Sequence, residues 1–103
     1  MSEFQKVAKL DDVHDGQITL AKIGKEQIAL YRLGNEVLAT TNICTHEYCE
    51  LDQNHNIEGE EVECTCHGSK FKIRTGENTS PPAAEPLPIF KTKVENGEVF
   101  VEI

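Results

Sequence analysis

Apolar residues in the first half of the chain recur at close, alternating positions. Ile18 and Leu20 stand between polar neighbours, then come Ile28, Leu30, Tyr31 and Leu33, then Val37, Leu38 and Ala39. Alternation of this kind sends successive side chains to opposite faces of a pleated strand, so residues 17–41 are predicted to be strands. Gly24-Lys25 and Gly34-Asn35 lie between these runs, and glycine in the first turn position suits a two-residue hairpin. A three-strand meander follows. Near the C-terminus, runs 90–95 and 98–103 flank Asn96-Gly97, the pair best suited to a type I′ turn because both residues tolerate positive φ.

No apolar period of 3.6 residues persists for three turns, and the acid-rich stretch 11–15 is long enough only for a helical turn. The expected fold class is all-β. Segment 42–79 differs in character: it holds all four cysteines and has little strand pattern outside 61–64 and 69–73. It reads as a loop-rich insert on a β base formed by 1–41 and 80–103. All four prolines fall between Pro81 and Pro88, which makes 79–88 a stiff, extended crossing loop into the last hairpin. At 103 residues the chain is expected to be a single domain, 1–103.

Ten basic residues against eighteen acidic ones give a formal charge of −8, which opposes binding to nucleic acid or to an anionic membrane surface. The longest apolar runs are far short of the ~20 residues that cross a bilayer, and residues 1–10 lack the charged-then-apolar pattern of a signal peptide. A soluble, cytoplasmic protein is expected. In that compartment disulfides are unusual, so clustered Cys and His are read first as metal ligands.

Two short segments carry the candidate chemistry: Cys44-Thr45-His46 and Cys64-Thr65-Cys66-His67, with seventeen residues between them. Each offers a thiolate and an imidazole. Zinc accepts two Cys and two His, but its usual finger pairs like with like across a helix. Mixed arms suit two irons bridged by sulfides better, one iron taking both thiolates and the other both imidazoles. A structural zinc domain stays open as the alternative at this point. His14 and His55 lie in polar surroundings outside these segments and read as surface histidines.

The pattern Cys-x-His, spacer, Cys-x-x-His resembles the Rieske family, and Cys44, His46, Cys64 and His67 match all four ligand positions. Gly68-Ser69 and the proline-rich segment 80–88 extend the resemblance over nearly the whole chain. It implies a Rieske-like antiparallel β sandwich or barrel with a cluster-binding subdomain at about 42–79, and one Rieske-type 2Fe-2S cluster as cofactor. With two ferric ions, two sulfides and two thiolates the oxidised site sums to zero charge, so reduction is easier than in a four-cysteine site. The neutral imidazoles then face solvent or a partner, making the histidine tips the expected docking point.

Cys49 and Cys66 remain. Family members from cytochrome bc-type complexes have cysteines at both places, joined as a disulfide, whereas many soluble ferredoxins of aromatic-ring dioxygenases lack the pair. The resemblance therefore implies a Cys49-Cys66 disulfide, with two buried thiols as the alternative. Ser69 matches the serine that donates to a bridging sulfide, and Gly68 provides a turn or close approach beside the cluster. Phe71 stands where high-potential members carry a tyrosine that donates to a ligand sulfur. One donor of two implies an intermediate reduction potential.

The function implied is that of a monomeric one-electron carrier, a ferredoxin rather than an enzyme, passing electrons from a reductase to a terminal oxygenase. The small redox subunit of a complex such as assimilatory nitrite reductase is the alternative. Seven acidic residues and no Lys or Arg between Glu47 and Glu63 read either as a solvated loop or as a field that steers basic partners.

Overall fold

Tight turns organise this chain. Across Gly24-Lys25, Gly34-Asn35, Gly59-Glu60 and Asn96-Gly97, the flanking residues pair directly (Ile23 with Glu26, Leu33 with Glu36, Glu58 with Glu61, Glu95 with Glu98), closing four two-residue hairpins. Asn96 and Gly97 have φ of 51° and 73°, as a type I′ turn requires.

The computed structural model describes residues 3–43, 49–66, 68–80 and 85–102. It contains β1 (Phe4–Lys9), a single 3-10 turn (Leu10–Asp12), β2 (Ile18–Ile23), β3 (Glu26–Leu33), β4 (Glu36–Thr41), β5 (His55–Glu58), β6 (Glu61–Cys64), β7 (Ser69–Lys72), β8 (Asn78–Ser80), β9 (Ile89–Phe90), β10 (Thr92–Glu95) and β11 (Glu98–Glu102). The strands form three antiparallel sheets with orders β1-β11-β10, β2-β3-β4-β9 and β5-β6-β7-β8.

β3 explains how the sheets stack. Ile28, Ala29, Leu30 and Tyr31 are all buried, although they alternate in direction. Ile28 and Leu30 join a core with Val13, Val37, Ala39, Val99 and Val101, whereas Ala29 and Tyr31 join one with Leu51, Val62, Cys64, Phe71 and Leu87. The sheet containing β3 is therefore a middle layer, covered on one face by β1-β11-β10 and on the other by β5-β6-β7-β8. Each fully buried Ile or Leu in such a layer contributes about 1.5–3 kcal/mol. Tyr31 is the polar exception. Its hydroxyl lies 2.8 Å from Thr40 Oγ1, whose own proton goes to the Thr41 carbonyl, so Tyr31 is the donor. Burial pushes the Tyr31 pKa up, which keeps the phenol neutral.

The sequence expectations need four corrections. β1 was not expected; it pairs with β11, with a bulge between Lys6 and Ala8 that interrupts the alternation. Segment 42–79 holds four strands rather than two, because β5 and β8 gain their order from pairing with β6 and β7 and not from their own composition. Run 90–95 is not one strand: the chain switches sheets at Lys91, with Ile89 and Phe90 pairing to β4 and Thr92 onward to β11. Ile73 lies just beyond the end of β7. The crossing segment is tied down just before β9: Leu87 N donates to Gly76 O at 2.7 Å, and Thr41 N donates to Pro88 O at 2.9 Å, while Pro81 and Pro82 lie outside the described residues. A Cβ at Gly76 would meet the Leu87 carbonyl oxygen at 2.0 Å, so only glycine allows that approach.

Candidate metal centre

Two loops converge on the core shared by the β2-β3-β4-β9 and β5-β6-β7-β8 sheets. The first leaves β4, and its ends are drawn together by an Ile43-Glu50 bridge. Asn42 holds that closure. Its side-chain oxygen accepts from Asp52 N at 2.8 Å, its Nδ2 donates to Asp52 Oδ1 at 2.7 Å and to Gln27 Oε1 at 3.2 Å, and its carbonyl accepts from Leu51 N at 2.7 Å. Asn42 itself is fully buried, so losing a partner there leaves a polar group that water does not readily satisfy. Little in the sequence distinguishes Asn42. Its only signal was an Asn and an Asp flanking the first cysteine pair.

The second loop lies between Cys64 and Ser69, which pair directly at the end of the β6-β7 hairpin. Gly68 N donates to Cys64 O at 2.8 Å, and Gly68 has φ of 81°. A Cβ there would reach only Glu63 Oε2 at 3.9 Å, so the turn and not crowding demands glycine. Cys64 ends β6 fully buried, and Ser69, directly across from it, is fully buried too. Phe71 lies two residues further along β7, on the same face, and is also fully buried.

A Cys49-Cys66 disulfide joins the two loops, with its Cα atoms 6.8 Å apart. The Cys64 sulfur lies within 4.8 Å of both disulfide sulfurs. Cys49, Cys64, Cys66, Gly68, Ser69 and Phe71 are thus brought to one place. Cys44, His46 and His67 lie outside the described residues. Along the chain, Cys44 and His46 precede Cys49 by five and three residues, and His67 directly follows Cys66, so the disulfide joins the two segments in which the ligands are expected.

His14 is exposed, but His55 is not the plain surface histidine that its neighbours in sequence suggested. It pairs across the sheet with Cys64, and its Nδ1 donates to Leu51 O at 2.7 Å. The acidic spacer also meets more positive charge than the sequence shows. Glu61 and Glu63 face Lys72 and Lys70 across the sheet, and Glu60 pairs with Arg74 at 3.1 Å. Arg74 also grips Glu36 with two hydrogen bonds of 2.9 Å, linking the β3-β4 turn to the far end of the β5-β6-β7-β8 sheet.

The donor set tests what this place can hold. A buried thiol at a strand end, two loops stapled beside it and a seryl hydroxyl across from it suit a thiolate-bound metal cluster that must be kept dry on one side. Fold and site together define a β domain of the iron-sulfur electron-carrier class. The family described as the Rieske [2Fe-2S] domain matches residues 3–91, and the chain belongs to it. Its cofactor is accordingly one Rieske-type 2Fe-2S cluster.

Among similar proteins is the ferredoxin component of the p-cumate 2,3-dioxygenase system of Pseudomonas putida, 36% identical over 104 residues, covering 100% of this chain and 88% of that protein. The Sphingomonas yanoikuyae B1 ferredoxin superimposes with a TM-score of 0.90 at 27% identity, covering 98% of this chain and 99% of its own. A chain in the complex of reduced oxygenase and oxidized ferredoxin in carbazole 1,9a-dioxygenase has a TM-score of 0.86 at 34% identity, with 95% of this chain and 91% of that chain covered.

Proposed function

We propose that this protein is the ferredoxin of a dioxygenase-type system, taking single electrons from a reductase and delivering them to a terminal oxygenase, with Cys44, His46, Cys64 and His67 holding the cluster. The observation that carries this reading is the convergence of buried Cys64 and the disulfide-tied loops on a fold that spans nearly all of its ferredoxin relatives. When bound, the cluster supplies a one-electron couple. The protein's part is to hold the site still. The disulfide and the Asn42 clamp fix both loops, so little rearranges when charge changes. Phe71, Leu51 and Leu87 keep water from the Cys64 side, which leaves the loop tips as the face for partners.

Among the described residues no helix is long and apolar enough to cross a membrane. The proposal places the carrier in the cytoplasm. Iron and sulfide analysis with low-temperature electron resonance on the reduced protein tests the cluster. Mixing the reduced protein with an aromatic-ring oxygenase in a stopped-flow instrument tests delivery. Reoxidation of the carrier at the rate at which the oxygenase is reduced is expected, and bound zinc with no resonance signal overturns the proposal.

A further inference from the structure

We propose that Cys64, Cys49 and Cys66 form a thiol-disulfide relay whenever the protein lacks its cluster, and that Cys66 is the outlet of the relay, a modification site for small disulfides and electrophiles. The proposal rests on reading Cys64 as a cluster ligand. Its basis is spatial: the three sulfurs lie within 4.8 Å of one another, two of them already bonded. A ligand sulfur donates its electrons to metal. Released from metal, the same sulfur is a nucleophile a short movement away from a disulfide.

The exchange balances within the chain. The Cys64 thiolate attacks the Cys49 sulfur, a Cys49-Cys64 bond forms, the Cys49-Cys66 bond breaks, and its electron pair leaves on Cys66. The proton given up by Cys64 passes to water and thence to Cys66, so no oxidant is consumed. Two features choose this direction. The departing sulfur carries the charge, and Cys66 is exposed whereas Cys49 is buried among Leu51, Val62, Phe71 and Leu87. Attack at Cys66 instead would join residues only two apart, which closes a small, strained ring.

Cluster loss therefore does more than empty the site. It ties up a ligand in a buried disulfide and presents Cys66 to solvent, where a small disulfide can cap it by a second exchange that releases one thiol. Reassembly then needs a thiol reductant to reopen the Cys49-Cys64 bond.

The test starts from the holoprotein. An iron chelator is added at neutral pH without reductant, samples are alkylated with iodoacetamide as the colour fades, and unreduced peptides are mapped by mass spectrometry. The holoprotein is expected to keep the Cys49-Cys66 link. During cluster loss a Cys49-Cys64 link is expected, with alkylation of Cys66 rising roughly tenfold or more. Persistence of Cys49-Cys66 with label on Cys64 overturns the relay, and so does a scrambled map in which Cys44 pairs as often as Cys64, the signature of unfolding. A Cys64-Cys66 link with label on Cys49 overturns the choice of outlet. In the full chain carrying Cys64→Ser, the Cys49-Cys66 link is expected to persist with Cys66 unlabelled; label at Cys66 there counts against the relay. Iron analysis of the same variant reports separately on Cys64 as a ligand.

Discussion

The two outer sheets of this protein are built on different principles, although each covers one face of the same middle layer. The β1-β11-β10 side is held chiefly by apolar area: Val99, Val101, Val37, Leu30 and Ile28 meet with full burial, and polar ties such as Thr92 to the Val37 carbonyl and Arg32 to the Leu10 and Val13 carbonyls lie around them. The β5-β6-β7-β8 side has short strands, two irregular loops and a buried polar inventory, and it depends on discrete ties: the disulfide, the Asn42 clamp and the Arg74 bracket. The physical reason is that a metal site requires backbone bent out of regular ladders, which forfeits area and hydrogen bonds that must be replaced by specific links. One side is stable through the apolar area it buries. The other is stable because it is fastened.

Substitutions can separate these principles. Leu30→Ala should cost about 2–5 kcal/mol in chemical denaturation, with the visible spectrum of the folded protein unchanged; an altered spectrum at low denaturant would show that the two cores are not independent. Replacing both disulfide cysteines, Cys49→Ser with Cys66→Ser, should cost on the order of 3 kcal/mol for a loop of this length and speed cluster loss. If cluster lifetime is unaffected, the disulfide fastens nothing of importance. Asn42→Ala should cost roughly 2 kcal/mol and broaden the resonance of the reduced protein, because the first loop loses both of its side-chain bonds to Asp52. A stability loss with an unchanged line shape would make Asn42 merely structural.

Phe71→Tyr should raise the reduction potential by on the order of 60 mV, the equivalent of roughly 1.4 kcal/mol for one electron, if the added hydroxyl reaches a ligand sulfur. Protein-film voltammetry gives the answer directly, and an unchanged or lower value removes the assignment. The smallest effect belongs to Glu36→Gln. The Glu36 pKa is lowered, first by its hydrogen bonds from Arg74 and then by the charge of that guanidinium. A carboxylate whose folded pKa is depressed contributes stability above its unfolded pKa and loses it as pH falls through the folded one. The variant should therefore match the parent in acid and fall slightly behind it at neutral pH, by a margin kept small by exposure.

Local sequence suffices for the strands whose order is local. Alternation at Ile18, Leu20 and Leu30 and the turn pairs Gly24-Lys25, Gly34-Asn35 and Asn96-Gly97 are readable because a two-residue turn fixes register from its own backbone preferences. The family resemblance carried by the motif spacing also implied the Cys49-Cys66 disulfide that the structure contains. Tertiary packing is what buries Ile28 through Tyr31 on both faces, moves the chain between sheets at Lys91, closes the first loop on Asn42 and sets His55 across from Cys64. The first two depend on partners distant in sequence, a second sheet and β4 against β11, whereas Asn42 and His55 meet Asp52 and Cys64 ten and nine residues away, across a loop and a hairpin with little strand pattern of their own. Local propensity carries no information about which strand arrives on the far side, and the roles of polar residues that serve a site are set by that arrival.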